Sequence, residues 1–158
     1  MNLYDELYSL TGEMEAASID YAVCGGLALA IHGHPRFTKA IDLLVRSEDV
    51  ERIVALLDRI GFILDSGTMP MGTDQIPLDI RRISRAVETE LLTVDLLMVN
   101  PHFQDVWDDR DMVEWQGHQL QVVSARGLAK LKRFAGRKQD LADLERLGLG
   151  SEVNDGNS

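Results

Sequence analysis

Leucine and methionine recur at steps of three and four through Leu3, Leu7, Leu10 and Met14, with Asp5 and Glu6 near the start. This spacing predicts an amphipathic helix over 2–17. The pattern then shortens to Tyr21-Ala22-Val23-Cys24, a strand that stops at Gly25-Gly26. From Leu27 to Ile31 every residue is apolar, the mark of a short helix buried on most sides. Gly33, Pro35 and Thr38 mark a loop, and Ile41-Asp42-Leu43-Leu44-Val45 is a second strand with one acid inside it. Ser47-Glu48-Asp49 caps a helix over 48–60, whose Val50, Ile53, Leu56, Leu57 and Ile60 form a core stripe and which Gly61 ends.

In the second half, Phe62-Ile63-Leu64 reads as strand and 65–75 as a loop marked by Gly and Pro. Ile76 to Ile83 and Leu91 to Leu97 predict an antiparallel hairpin joined by the polar segment 84–90. Pro101 opens a short helix to about Trp107. Met112–Trp115 and Gln119–Val123 flank Gln116-Gly117-His118 as a second hairpin. Ser124 caps a helix from Ala125 to about Ala135, and a last helix follows to Leu147. Strands mixed with helices throughout give an α/β (α+β) class with a mixed sheet flanked by helices.

Composition narrows the class. A chain of 158 residues, 45% hydrophobic and 27% charged, fits one domain with a buried core. Apolar runs such as Leu27 to Ile31 are too short to cross a bilayer, and the first residues lack the basic and apolar stretches of a secretion signal. Cys24 is the only cysteine, which excludes an internal disulfide and suits a reducing cytosol. The expectation is a cytoplasmic domain over 1–147 with no membrane partner, and a disordered tail over 148–158, where Gly, Ser, Asn and acids dominate.

Charge adds a local feature. Sixteen Lys and Arg against 26 Asp and Glu give a net −10, which argues against coating nucleic acid through the whole surface. Six of the cations fall between Arg126 and Lys138 with no acid among them. Such a strip suits a phosphate-bearing ligand, or is a solvated helix face.

Three features place chemistry on strands. Gly25 and Gly26 between strand and helix let backbone N–H groups approach an anion, though a tight turn alone also accounts for them. Asp42 lies inside an apolar strand, where residues two apart share a face, so Ala40, Asp42 and Leu44 point one way. Asp95 lies likewise inside Leu91–Leu97. Acids in such strands need a salt bridge, hydrogen bonds or a metal. Two on neighbouring strands suit one hard cation, most naturally Mg²⁺.

The run Tyr21-Ala22-Val23-Cys24-Gly25-Gly26-Leu27, followed by Arg36-Phe37-Thr38-Lys39-Ala40-Ile41-Asp42-Leu43, resembles the minimal nucleotidyltransferase superfamily, and within it the AbiEii-type enzymes, many of them toxins of toxin–antitoxin systems. That pattern is a strand, Gly-Gly, a short helix, Arg-x-Thr-x, then Asp-x-Asp, with a third Asp on a later strand, which Asp95 matches. The segment Leu128 to Leu144 is similar to the family's C-terminal helices, so the likeness spans about 20–147. It implies the nucleotidyltransferase fold and transfer of a nucleoside monophosphate from an NTP, ATP among them, to a hydroxyl on a tRNA 3′ end or a protein. Mg²⁺ or Mn²⁺ would be held by Asp42 and Asp95, with Asp95 also taking the acceptor's proton. An antitoxin is a further implied partner.

One departure stands out. Ala40 occupies the position of the first Asp of Asp-x-Asp, so the chain as written is expected to be a catalytically impaired enzyme. Engineering or a natural pseudoenzyme both account for it, and a non-catalytic module that binds nucleotide or protein is the alternative function. For the nucleotide, the expected contacts are Gly25, Gly26, Arg36, Thr38 and Lys39, with Lys130, Arg133 and Arg137 on one helical face. His32, His34, Cys24, Trp107 and Trp115 read as structural.

Overall fold

The computed structural model describes residues 2–35 and 37–135. The predicted last helix and the tail over 148–158 lie outside them. Helix α1 (Leu3–Ala16) is capped by Asn2, whose side chain accepts from the Tyr4 amide, and buries Leu7, Leu10 and Met14 as its spacing requires. Strand β1 (Ala22–Cys24) runs directly into α2 (Gly25–Ile31), and β2 (Ala40–Arg46) follows. A 3₁₀ turn at Ser47–Asp49 leads into α3 (Val50–Arg59). Strands β3 (Leu64–Gly72), β4 (Pro77–Val87) and β5 (Glu90–Val99) form a meander, then come α4 (Gln104–Asp108), the hairpin β6 (Asp111–Trp115) and β7 (His118–Val122), and α5 (Ala125–Ala135).

All seven strands of the described residues join one sheet in the order β3-β4-β5-β2-β1-β7-β6. Strands β2 and β5 pair in parallel, as do β1 and β7; the other neighbours are antiparallel, so the sheet is mixed as expected. In the central strand β2, Ile41, Leu43, Leu44 and Val45 are fully buried. Leu7, Leu10 and Met14 of α1 and Ile53, Leu56 and Leu57 of α3 complete the core around it. No helix among the described residues is long and apolar enough to cross a membrane.

Two expectations are corrected. The segment read as a loop over 65–75 is mostly β3, an edge strand on β4. Its side chains are largely exposed, so no hydrophobic alternation marks it, and backbone pairing holds it instead. Pro70 is tolerated because an edge strand has a side without partners, and the register shifts between Asp65 and Thr68, where Gly67 adopts a positive φ. The polar segment 84–90 is not a connector either. Strand β4 continues to Val87, which pairs with Glu90 across a two-residue turn, and Glu88 there has φ 56°.

Candidate active site

Strands β2 and β5 bring the two acids together. Their register sets Asp42 beside Asp95 and Ala40 beside Thr93, so all four side chains rise from one face of the sheet. On its other side β2 pairs with β1, placing Cys24 opposite Asp42. The chain leaves β1 through Gly25, which has φ +64°. A Cβ on Gly25 would stand 2.0 Å from Asp42 Oδ2, so the backbone lies directly against the carboxylate. A Cβ on Gly26 would come within 2.9 Å of Thr38 Cβ. The two glycines are therefore dictated first by packing on Asp42 and Thr38.

Asp95 is 7% exposed and accepts both arms of a guanidinium fork. Arg82 of β4, its register partner across the hairpin, donates from Nε to Oδ1 at 2.8 Å and from Nη2 to Oδ2 at 3.0 Å. Gly25, Asp42, Arg82, Asp95 and Lys132 face a cleft of about 140 Å³, whose apolar wall includes Leu78, Ile80, Leu97 and Leu128. Lys132, on α5, is 8% exposed. Cys24 also lines the cleft, and burial, followed by the charge of Asp42, pushes its thiol well above the ordinary range. A neutral thiol there is no nucleophile.

The other expected residues divide. Thr38 Oγ1 donates to the carbonyl of Ala40 at 3.3 Å and so orders the loop into β2. Lys39 is exposed and stands over the Phe37 ring at 5.8 Å. Lys130 points away from the acids: its Nζ donates to the His102 carbonyl at 2.6 Å and to Asp105 at 2.8 Å, which holds the Asp105 carboxyl below its usual range. Arg133 is half-buried on α5; Arg36 and Arg137 lie outside the described residues. His32 meets the Val123 carbonyl at 2.8 Å, and Trp107 packs under Arg110, both structural uses.

Arg82 and Lys132 were not among the residues the sequence singled out. Lys132 lies one turn beyond Leu128 on the same helix face, a spacing that points it at whatever Leu128 covers. Arg82 and Asp95 each stand five residues from the closing pair Val87 and Glu90, a relation visible only once the turn is placed at Glu88-Thr89.

Carboxylates suit Mg²⁺, which takes oxygen ligands and commonly uses one or two carboxylates plus substrate phosphates. Asp42 and Asp95 fit one such ion. They do not make a two-ion set, because Ala40 offers no oxygen and no three His, Cys, Asp or Glu side chains among the described residues group closely enough to hold a metal.

No family model and no curated protein sequence matches the chain. Solved structures do. A Thermotoga maritima protein described as a nucleotidyltransferase, TM1012, superposes with a TM-score of 0.62 at 13% identity, over 91% of each chain. The chain has the nucleotidyltransferase fold. The same fold is shared with the lincosamide antibiotic adenylyltransferase LnuA bound to lincomycin, at TM-score 0.60 and 14% identity over 92% of this chain and 96% of that one. It is shared also with ANT(2″)-Ia in complex with adenylyl-2″-tobramycin, at TM-score 0.57 and 12% identity over 98% of both. At such identities the likeness is one of fold, and within the nucleotidyltransferase fold this chain's own residues must carry the chemistry.

Proposed function

We propose that the chain is a nucleotidyltransferase, moving a nucleoside monophosphate from an NTP to a hydroxyl acceptor, and that Ala40 leaves it impaired. The observation that carries this reading is the in-register pair Asp42 and Asp95 on parallel strands, beneath the backbone of Gly25. In the reaction the acceptor oxygen bonds to the α-phosphorus, the bond to pyrophosphate breaks in line, and the acceptor's proton passes to a carboxylate. Asp95 is the carboxylate assigned that proton. Gly25 and Gly26 bound the triphosphate from the β1–α2 turn, with Arg36, Thr38 and Lys39 on the loop that follows. On α5, Lys132 faces the acids and takes the phosphate-binding role expected of Lys130, which is committed to Asp105; Arg133 and Arg137 flank it in sequence. A Mg²⁺ or Mn²⁺ ion bound by Asp42 and Asp95 supplies charge neutralisation at the phosphates.

Acceptors fall into three classes: a tRNA 3′ end, a protein hydroxyl, and a small hydroxyl compound of the kind seen with the antibiotic adenylyltransferases. The AbiEii resemblance adds a toxin role in the cytoplasm and an antitoxin partner. A second reading, a non-catalytic nucleotide-binding module, is favoured by Ala40 and by the ion pair that engages Asp95. Transfer from α-labelled NTPs with Mg²⁺, to total tRNA, to the protein itself and to an aminoglycoside, separates the two. Ala40→Asp is expected to raise labelling roughly 100-fold over the chain as written, and Asp42→Asn to abolish it. Failure of Ala40→Asp to label any acceptor supports the binding module.

A further inference from the structure

The cleft carries four charged side chains, and they cancel: Asp42 and Asp95 against Arg82 and Lys132. Arg82 spans both carboxylate oxygens of Asp95. A divalent cation needs those same oxygens, and a guanidinium beside them repels it. The Asp95 side chain is 10% exposed whereas that of Arg82 is 46% exposed, so the arginine has an open path to solvent and the aspartate does not.

We propose that Arg82 is a resident counter-cation, closing Asp95 to metal until a nucleoside triphosphate draws the guanidinium away. The inference rests on the reading of Asp42 and Asp95 as a cation site. The planar fork that fits a carboxylate fits phosphate oxygens equally well, so the triphosphate offers Arg82 a matching partner at the moment its charge brings the cation in. Metal entry and Arg82 release are then two sides of one equilibrium, and each is coupled to the other. In the free protein the acids stay neutralised, and the ion arrives with its nucleotide instead of ahead of it.

Removing the guanidinium leaves Asp95 as a buried carboxylate in need of a cation. Calorimetric titration of the full chain with Mn²⁺ alone, without nucleotide, reads this directly. Arg82→Gln should tighten Mn²⁺ binding roughly 10-fold, within the usual span of site-to-site coupling. Arg82→Lys, which keeps the charge and loses the fork, should tighten it less. Adding Asp42→Asn to Arg82→Gln should cancel the gain. Mn²⁺ affinity that is unchanged or weaker in both Arg82 variants, with cooperative thermal unfolding intact, overturns the counter-cation role and leaves nucleotidyl transfer to be judged by its own labelling test. A gain that survives Asp42→Asn puts the ion elsewhere and overturns the cation site together with the role of Arg82.

Discussion

Gly25 is constrained twice: by a φ of +64° that side chains other than glycine's rarely adopt, and by an Asp42 oxygen where its Cβ would stand. The cost of any side chain there falls on the site itself, because Asp42 is the group that must move. Gly25→Ala should therefore destabilise the fold by roughly 1–3 kcal/mol, the usual range for a residue forced into the left-handed region. Gly12→Ala is the matched control. Gly12 lies exposed in α1 with nothing within 4 Å of its Cβ direction, and the change there should stabilise the helix by about 0.5–1 kcal/mol. Thermal unfolding of the two variants, moving in opposite directions, checks the account; equal shifts would contradict it. Ala40 is the opposite case, a small side chain where nothing about burial demands one: it is half-buried on the cleft face beside Thr93.

At the scale of elements, one arginine links the edge strands β3 and β4 to helix α3. Arg81 of β4 donates from Nε and Nη2 to Asp65 of β3, at 2.9 and 2.6 Å, and from Nη1 to Glu51 of α3 at 3.0 Å. The hydrogen bonds from Arg81, aided by the Gly67 amide, hold the Asp65 carboxyl below its usual range. A depressed carboxyl contributes stability above its ordinary pKa and loses it as pH falls through the depressed value. Asp65→Asn should thus destabilise the fold at pH 7 by no more than about 1 kcal/mol, given partial solvent screening, read as a lowered melting temperature. The difference should begin to shrink as pH drops below about 4, the ordinary carboxyl range, and vanish only as pH falls through the depressed value of the folded carboxyl. A difference that stays constant down to pH 2 would contradict the pairing.

The same hairpin explains what the sequence could and could not convey. The helices α1 and α3 and the strands β1, β2 and β5 were legible because burial writes its period into Leu3 to Met14, Val50 to Leu57 and Ile41 to Val45. Asp42 and Asp95 stood out for the converse reason, as charges in apolar strands. Strand β3 left no such imprint: it faces solvent, and its Gly67, Pro70 and Gly72 read as loop. The far end of β4, Ser84 to Val87, was hidden because it is polar and its Arg85 pairs with Glu6 of α1, a partner that only the register reveals. Losing that register also concealed Arg82 as a cleft residue.

Across the whole molecule, an acidic body of net charge −10 carries a cleft whose own charges balance. The β1–α2 turn, the β2–β5 pair and α5 converge on that cleft. Lys132 of that cleft belongs to the run of cations from Arg126 to Lys138, of which Lys130 turns instead to Asp105. The central claim is that this cleft seats a metal-bound nucleoside triphosphate. Its most direct test is a crystal structure of the chain with Mn²⁺ and a non-hydrolysable NTP, with the ion located by its anomalous scattering. The account predicts one Mn²⁺ between Asp42 and Asp95, the triphosphate against Gly25 and Gly26, and the Arg82 guanidinium turned from Asp95 to phosphate. A nucleotide and ion bound away from Asp42 and Asp95, with the cleft unchanged, would contradict it.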